Sequence, residues 1–151
     1  MLKINEIAPD FSLPNQNNEI RTLSSFKGQW VVLYFYPKDD TPGCTVQACS
    51  YRDNMSAFEK RGIKVFGISK DDVKSHQKFE AKFELNFELL ADDQHVVLNA
   101  YDVWKEKNMY GKKVMGVART TFVVNPEGKI AAIFEKVKPE EDVEKVLAVI
   151  Q

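Results

Sequence analysis

The stretch that decides the fold is WVVLYFYPKDDTPGCTVQACSYRD, Trp30 to Asp53. It opens on an unbroken apolar, β-branched and aromatic run, Trp30 to Tyr36. A run of that kind, bounded by a turn signal, reads as a buried central strand. Pro37 ends it, having no N–H for a sheet ladder. Thr41-Pro42 then starts a helix, with Thr as N-cap and Pro at the first helical position, where a missing N–H costs nothing. Cys44, Ala48, Tyr51, Met55 and Phe58 recur at spacings of three and four, which marks one helical face. Gly62 closes this predicted helix, 42–61.

Working outward, Ile63 to Ser69 (IKVFGIS) reads as a second buried strand and Asp71 to Phe83 as a helix. Phe87 to Leu90 reads as a short strand, and Asp93 to Tyr101 as a short helix. Arg119 to Val124 and Ile130 to Phe134 flank the turn Asn125-Pro126-Glu127-Gly128 as a hairpin. A last helix starts near Pro139, with Val143, Val146, Leu147 and Ile150 on one face. On the N-terminal side, short strands flank a turn at Asn15 to Asn18. The order is α/β, a βαβ unit followed by a hairpin and a helix. It predicts a thioredoxin-like fold, a central mixed sheet flanked by helices with an N-terminal β extension.

The chain has 151 residues, enough for a single domain, 1–151, with a proper core. Lys and Arg total 21 against 22 Asp and Glu, a net charge of −1. That balance argues against a general nucleic-acid binder or a polybasic membrane protein. The start, MLKINEIAPDF, has no apolar stretch of secretory type, and no apolar run approaches membrane-spanning length. A soluble, cytoplasmic protein is expected. No glycine-rich phosphate loop follows either main strand, so nucleotide binding has no support.

The chemistry rests on the cysteines, Cys44 and Cys49. With Thr41 as N-cap, Cys44 falls in the first turn, where backbone N–H groups have no intrahelical acceptor and favour an anion. A helix start of this kind lowers a thiol pKa. Pro42 and Gly43 carry little bulk and leave the approach to the sulfur open. The bland alternative is an inert cysteine on the core face. Cys49 lies about 140° around the helix from Cys44. At that separation the Cα atoms of an intact helix are about 8.6 Å apart, beyond the reach of about 7 Å that a disulfide allows. A bond between them needs the first turns to unwind. Two Cys and the two His, His76 and His95, stand in no ligand spacing, so zinc is not expected. Both histidines read as surface or core residues, Asp39 and Asp40 as solvated loop acids, Arg119 as a surface arginine, and Trp30 and Trp104 as packing residues.

Pro37-x-x-x-Thr41-x-x-Cys44 resembles the peroxidatic motif of the peroxiredoxins. The longer FYPKDDTPGCTVQACSYRD is similar to the peroxiredoxin Q (bacterioferritin comigratory protein) subfamily. The likeness extends through APDFSLP (8–14), LSSFKGQWVVLYFYP (23–37), VWKEKNMYGKK (103–113) and RTTFVVNPEGKI (119–130). One departure, Trp104-Lys105-Glu106-Lys107 for Trp-Gly-Glu-Lys, falls in an expected surface loop. The resemblance implies a thiol peroxidase for hydroperoxides. It implies Cys44 as the peroxidatic nucleophile and Cys49 as the resolving cysteine that forms an intramolecular disulfide with it. Thr41 would hydrogen-bond thiolate and peroxide, in competition with its N-cap role. Arg119 would stabilise the charge that moves in the transition state, and Pro37 would shape the pocket. It also implies a thioredoxin or glutaredoxin-like reductant, no metal, haem or flavin, and a monomer or weak dimer. A rival of another class is a non-catalytic redox sensor or holdase switched by the same disulfide.

Overall fold

The structure, a computed structural model, describes residues 2–150. Trp30–Phe35 forms a strand at the centre of a five-stranded mixed sheet. Numbered along the chain, the strands are β1 (Ser12–Pro14), β2 (Ile20–Thr22), β3 (Trp30–Phe35), β4 (Ile63–Ser69), β5 (Glu88–Ala91), β6 (Trp104–Met109), β7 (Lys112–Val117), β8 (Thr120–Val124) and β9 (Ile130–Phe134). The helices are α1 (Pro42–Asp53), α2 (Met55–Lys60), α3 (Val73–Phe83), α4 (Val96–Ala100) and α5 (Asp142–Val149). The central sheet runs β5-β4-β3-β8-β9. β3 pairs parallel with β4 and antiparallel with β8. β1 and β2 form the small N-terminal hairpin.

The unbroken apolar run of β3 follows from burial on both faces. Val32, Tyr34 and Tyr36 point into a core shared with α1, α2, α3 and α5. Val31, Leu33 and Phe35 point into a second core with α4 and the N-terminal segment. The predicted stripe Cys44, Ala48, Tyr51, Met55, Phe58 lies wholly in the first core. Gly67 on β4 stands opposite Tyr34. A Cβ there would lie 2.6 Å from the Tyr34 ring, so only glycine fits.

Three expectations need correction. The helix expected over 42–61 breaks at Asn54 into α1 and α2. Asn54 takes φ −110° and ψ 8°, and its side-chain amide donates to the Ser50 carbonyl at 2.8 Å. Such local bonds compete with the helical ladder. The expected loop around Trp104–Lys107 is instead a strand of the β6–β7 hairpin, closed by Tyr110 (φ 53°) and Gly111 (φ 79°). Those left-handed values make the two-residue turn that matches strand twist. Finally, α5 begins at Asp142 rather than near Pro139.

Candidate active site

The helix start forms as expected around Thr41, which is extended (φ −101°, ψ 156°), with Pro42 opening α1. The Thr45 N–H donates to the Thr41 carbonyl at 2.8 Å as the first helical bond. Cys44 therefore sits in the first turn, among N–H groups without intrahelical acceptors. The Thr41 hydroxyl does not cap the helix. It donates to the Lys38 carbonyl at 2.8 Å. The expected competition with capping is thus replaced by one with this carbonyl, and the hydroxyl oxygen keeps its lone pairs as acceptors.

Cys44 is 2% exposed, and both cysteines are free. Its sulfur meets a cation. Arg119 Nη2 lies 3.4 Å from Cys44 Sγ. The space beside Gly43, expected to be open, is taken by this guanidinium. A Cβ at Gly43 would lie 3.2 Å from Arg119 Nη2 and 3.5 Å from Pro139 Cγ. Glycine lets the arginine cross the helix start. Arg119 is thus only half-buried and touches the site, not the open surface residue that its local sequence suggests.

The arginine is held from its other arm. Nη1 donates to Gln47 Oε1 at 2.7 Å, and Gln47 Nε2 donates to Asp142 Oδ2 at 2.9 Å. Asp142 Oδ2 also accepts from the Tyr51 hydroxyl at 2.6 Å and the Thr121 hydroxyl at 2.9 Å. Because the Gln47 amide gives its N–H₂ to Asp142, its oxygen faces Arg119. Burial pushes the Asp142 carboxyl above its ordinary range. Hydrogen bonds from Tyr51, Gln47 and Thr121 and the Arg119 charge pull the other way. Neither Gln47 nor Asp142 is anticipated by the sequence. Gln47 is fully buried on the core side of α1, one turn beyond Cys44, and a polar residue there is the signal that points to it.

Lys107 is a further addition. Burial lowers its ammonium below the ordinary lysine range and the Arg119 charge adds to this, while a Cys44 thiolate acts in the opposite sense. The β6–β7 hairpin thus places a half-buried lysine within electrostatic reach of both groups. Pro37, half-buried, follows β3, and its carbonyl accepts from the Lys70 ammonium at 2.7 Å. Asp40 is exposed as expected. Asp39 is not a solvated acid: it is 7% exposed and bound to His76, which is fully buried. Cys49 is half-buried on α1, away from the stripe that carries Cys44.

A reactive-type cysteine at a helix start, facing an arginine anchored by a buried carboxylate, is an anion-stabilising thiol site. The AhpC/TSA family pattern matches residues 4–133. The chain belongs to this family. It is 47% identical over 146 residues to a putative peroxiredoxin bcp of Coxiella burnetii, spanning 97% of both chains. It is 41% identical over 150 residues to the peroxiredoxin Bcp of Bacillus subtilis, spanning 99% of this chain and 96% of that one. Among solved structures, the bacterioferritin comigratory protein of Xanthomonas campestris superposes with a TM-score of 0.90 at 40% identity. That match covers 99% of this chain and 96% of that one. Peroxiredoxins are thiol peroxidases, so this peroxiredoxin is an oxidoreductase acting on peroxides. Its fold is that of the thioredoxin-fold peroxiredoxins. Among the described residues no helix is long and apolar enough to cross a membrane.

Proposed function

We propose that this chain is a single-domain, two-cysteine peroxidase that reduces hydrogen peroxide and organic hydroperoxides, with Cys44 as nucleophile and Cys49 as resolver. The Cys44 thiolate attacks the terminal peroxide oxygen. An S–O bond forms, the O–O bond breaks, and the leaving oxygen takes a proton to become water or an alcohol. Cys44 is left as a sulfenic acid. Arg119 stabilises the charge that passes from sulfur to the leaving oxygen. Its fork suits this, since one arm faces the sulfur and the other is fixed on Gln47. The Thr41 oxygen, its hydrogen given to Lys38, accepts from the peroxide O–H. Pro37 shapes the wall of the pocket.

Cys49 then attacks the Cys44 sulfenic sulfur, the S–S bond forms and water departs. A thioredoxin or glutaredoxin-like dithiol reduces that disulfide by exchange. The enzyme acts in the cytoplasm as a monomer or weak dimer.

The observation that carries this reading is the 3.4 Å contact between Arg119 and Cys44 at the start of α1. The test is steady-state turnover with thioredoxin, its reductase and NADPH. Wild type is expected to consume many equivalents of peroxide per chain and Cys44→Ser none. Substantial consumption by Cys44→Ser removes Cys44 from the nucleophile role.

A further inference from the structure

Behind the segment that leads into α1 lies a buried polar cluster that the peroxide chemistry does not touch. His76, on α3, is fully buried, and Asp39 is 7% exposed. His76 Nδ1 lies 2.7 Å from Asp39 Oδ2, and Nε2 lies 3.0 Å from the Leu90 carbonyl on β5. Asp39 Oδ1 accepts from the Tyr36 hydroxyl at 2.6 Å, and Oδ2 from the Ser75 hydroxyl at 2.8 Å. A carbonyl oxygen only accepts, so Nε2 carries a hydrogen. Nδ1 shares one hydrogen with Asp39 Oδ2. The ring is thus held at both nitrogens, between Asp39 and β5.

The cluster ties three elements to one short segment. Asp39 is held by α3 through Ser75 and His76, and by the end of β3 through Tyr36. Its N–H donates to the Asp71 carboxylate at 2.9 Å. Pro37 is held by Lys70 at 2.7 Å. Residues 37–41 belong to no strand or helix, so side-chain bonds of this kind must set their position. The segment carries the Thr41 hydroxyl and feeds directly into the turn that holds Cys44. A misplacement of about 1 Å at a reacting centre costs on the order of a hundredfold in rate.

We propose that the Asp39–His76 pair is a positioning unit for the peroxidase reaction: it pins the Pro37–Thr41 segment to α3, and so sets where Thr41 and the first turn of α1 stand against the Cys44 sulfur. The proposal rests on Cys44 being the nucleophile. Removing either partner leaves a buried polar group unpaired and frees the segment from α3.

The test is the second-order rate of Cys44 oxidation by hydrogen peroxide in a single turnover, measured alongside thermal stability. His76→Leu and Asp39→Asn are each expected to lose at least tenfold in this rate. The double variant Asp39→Ala/His76→Leu is expected to react within about threefold of the slower single variant, the non-additivity of a coupled pair. Asp39→Asn changes charge with little change of size, and decides the matter if His76→Leu does not fold. Single variants that are less stable yet react at the wild-type rate overturn the proposal. So does a double variant that recovers the wild-type rate. Failure of the underlying reading shows separately, as peroxide consumption that survives in Cys44→Ser.

Discussion

Arg119 divides its guanidinium between two tasks. Nη2 meets the Cys44 sulfur at 3.4 Å, and Nη1 is fixed at 2.7 Å on Gln47, itself anchored on Asp142. A lysine keeps the charge but offers no rigid fork to do both. Hydrogen bonds to charged groups contribute about 1.5–3 kcal/mol, or roughly a ten- to hundredfold change in rate at about 1.4 kcal/mol per decade. Arg119→Lys is therefore expected to slow Cys44 oxidation by peroxide about thirtyfold in stopped-flow measurements, with little loss of fold. A lysine variant as fast as wild type removes the fork from the mechanism. Nothing in the local sequence ties Arg119 to Cys44, and only the motif resemblance connects them. The sheet supplies the reason. Phe35 pairs with Thr120 across β3 and β8, so Arg119 comes to the end of β3, where the chain turns toward α1.

At the scale of elements, the proposed resolution of Cys44 by Cys49 makes α1 the gate between the two chemical steps. While it is helical, Cys44 and Cys49 stand about 8.6 Å apart at Cα, too far for a bond. Unwinding of its first turns brings them within reach. The break at Asn54 limits how far that unwinding spreads, because α2 is a separate helix whose Met55 and Phe58 are buried in the core. If Cys49 resolves the sulfenic acid, Cys49→Ser strands it on Cys44. A sulfenate-trapping reagent is then expected to label Cys49→Ser during turnover several times more than wild type. Equal labelling assigns the resolving step elsewhere. The cysteine spacing and the helix start are legible in the sequence, since Thr41-Pro42 and the apolar stripe are strong local signals. The break at Asn54 is not, because the stripe continues through it in register.

Across the whole molecule, the legible parts are those buried by pattern. β3 and β4 are packed on both faces and read as continuous apolar runs, and the β8–β9 hairpin announces its turn. The β6–β7 hairpin escapes notice because most of it is exposed, with Tyr110 fully so, and no alternation marks a buried face. The polar networks escape for a different reason. Asp39 meets His76, and Gln47 meets Asp142, only once the chain has folded. Those networks leave the molecule unevenly held. The central sheet is packed from both sides, and the 37–41 segment is fixed to α3, while the first turns of α1 carry the site. Local opening follows such differences in packing and bonding.

The central claim is that α1 opens while the rest stays closed. Amide hydrogen exchange of the reduced and the peroxide-oxidised enzyme tests it most directly. Oxidation is expected to remove protection from residues 42–50 and leave the five-stranded sheet and the 73–79 region of α3 unchanged. Undiminished protection over 42–50 in the fully oxidised protein would contradict it.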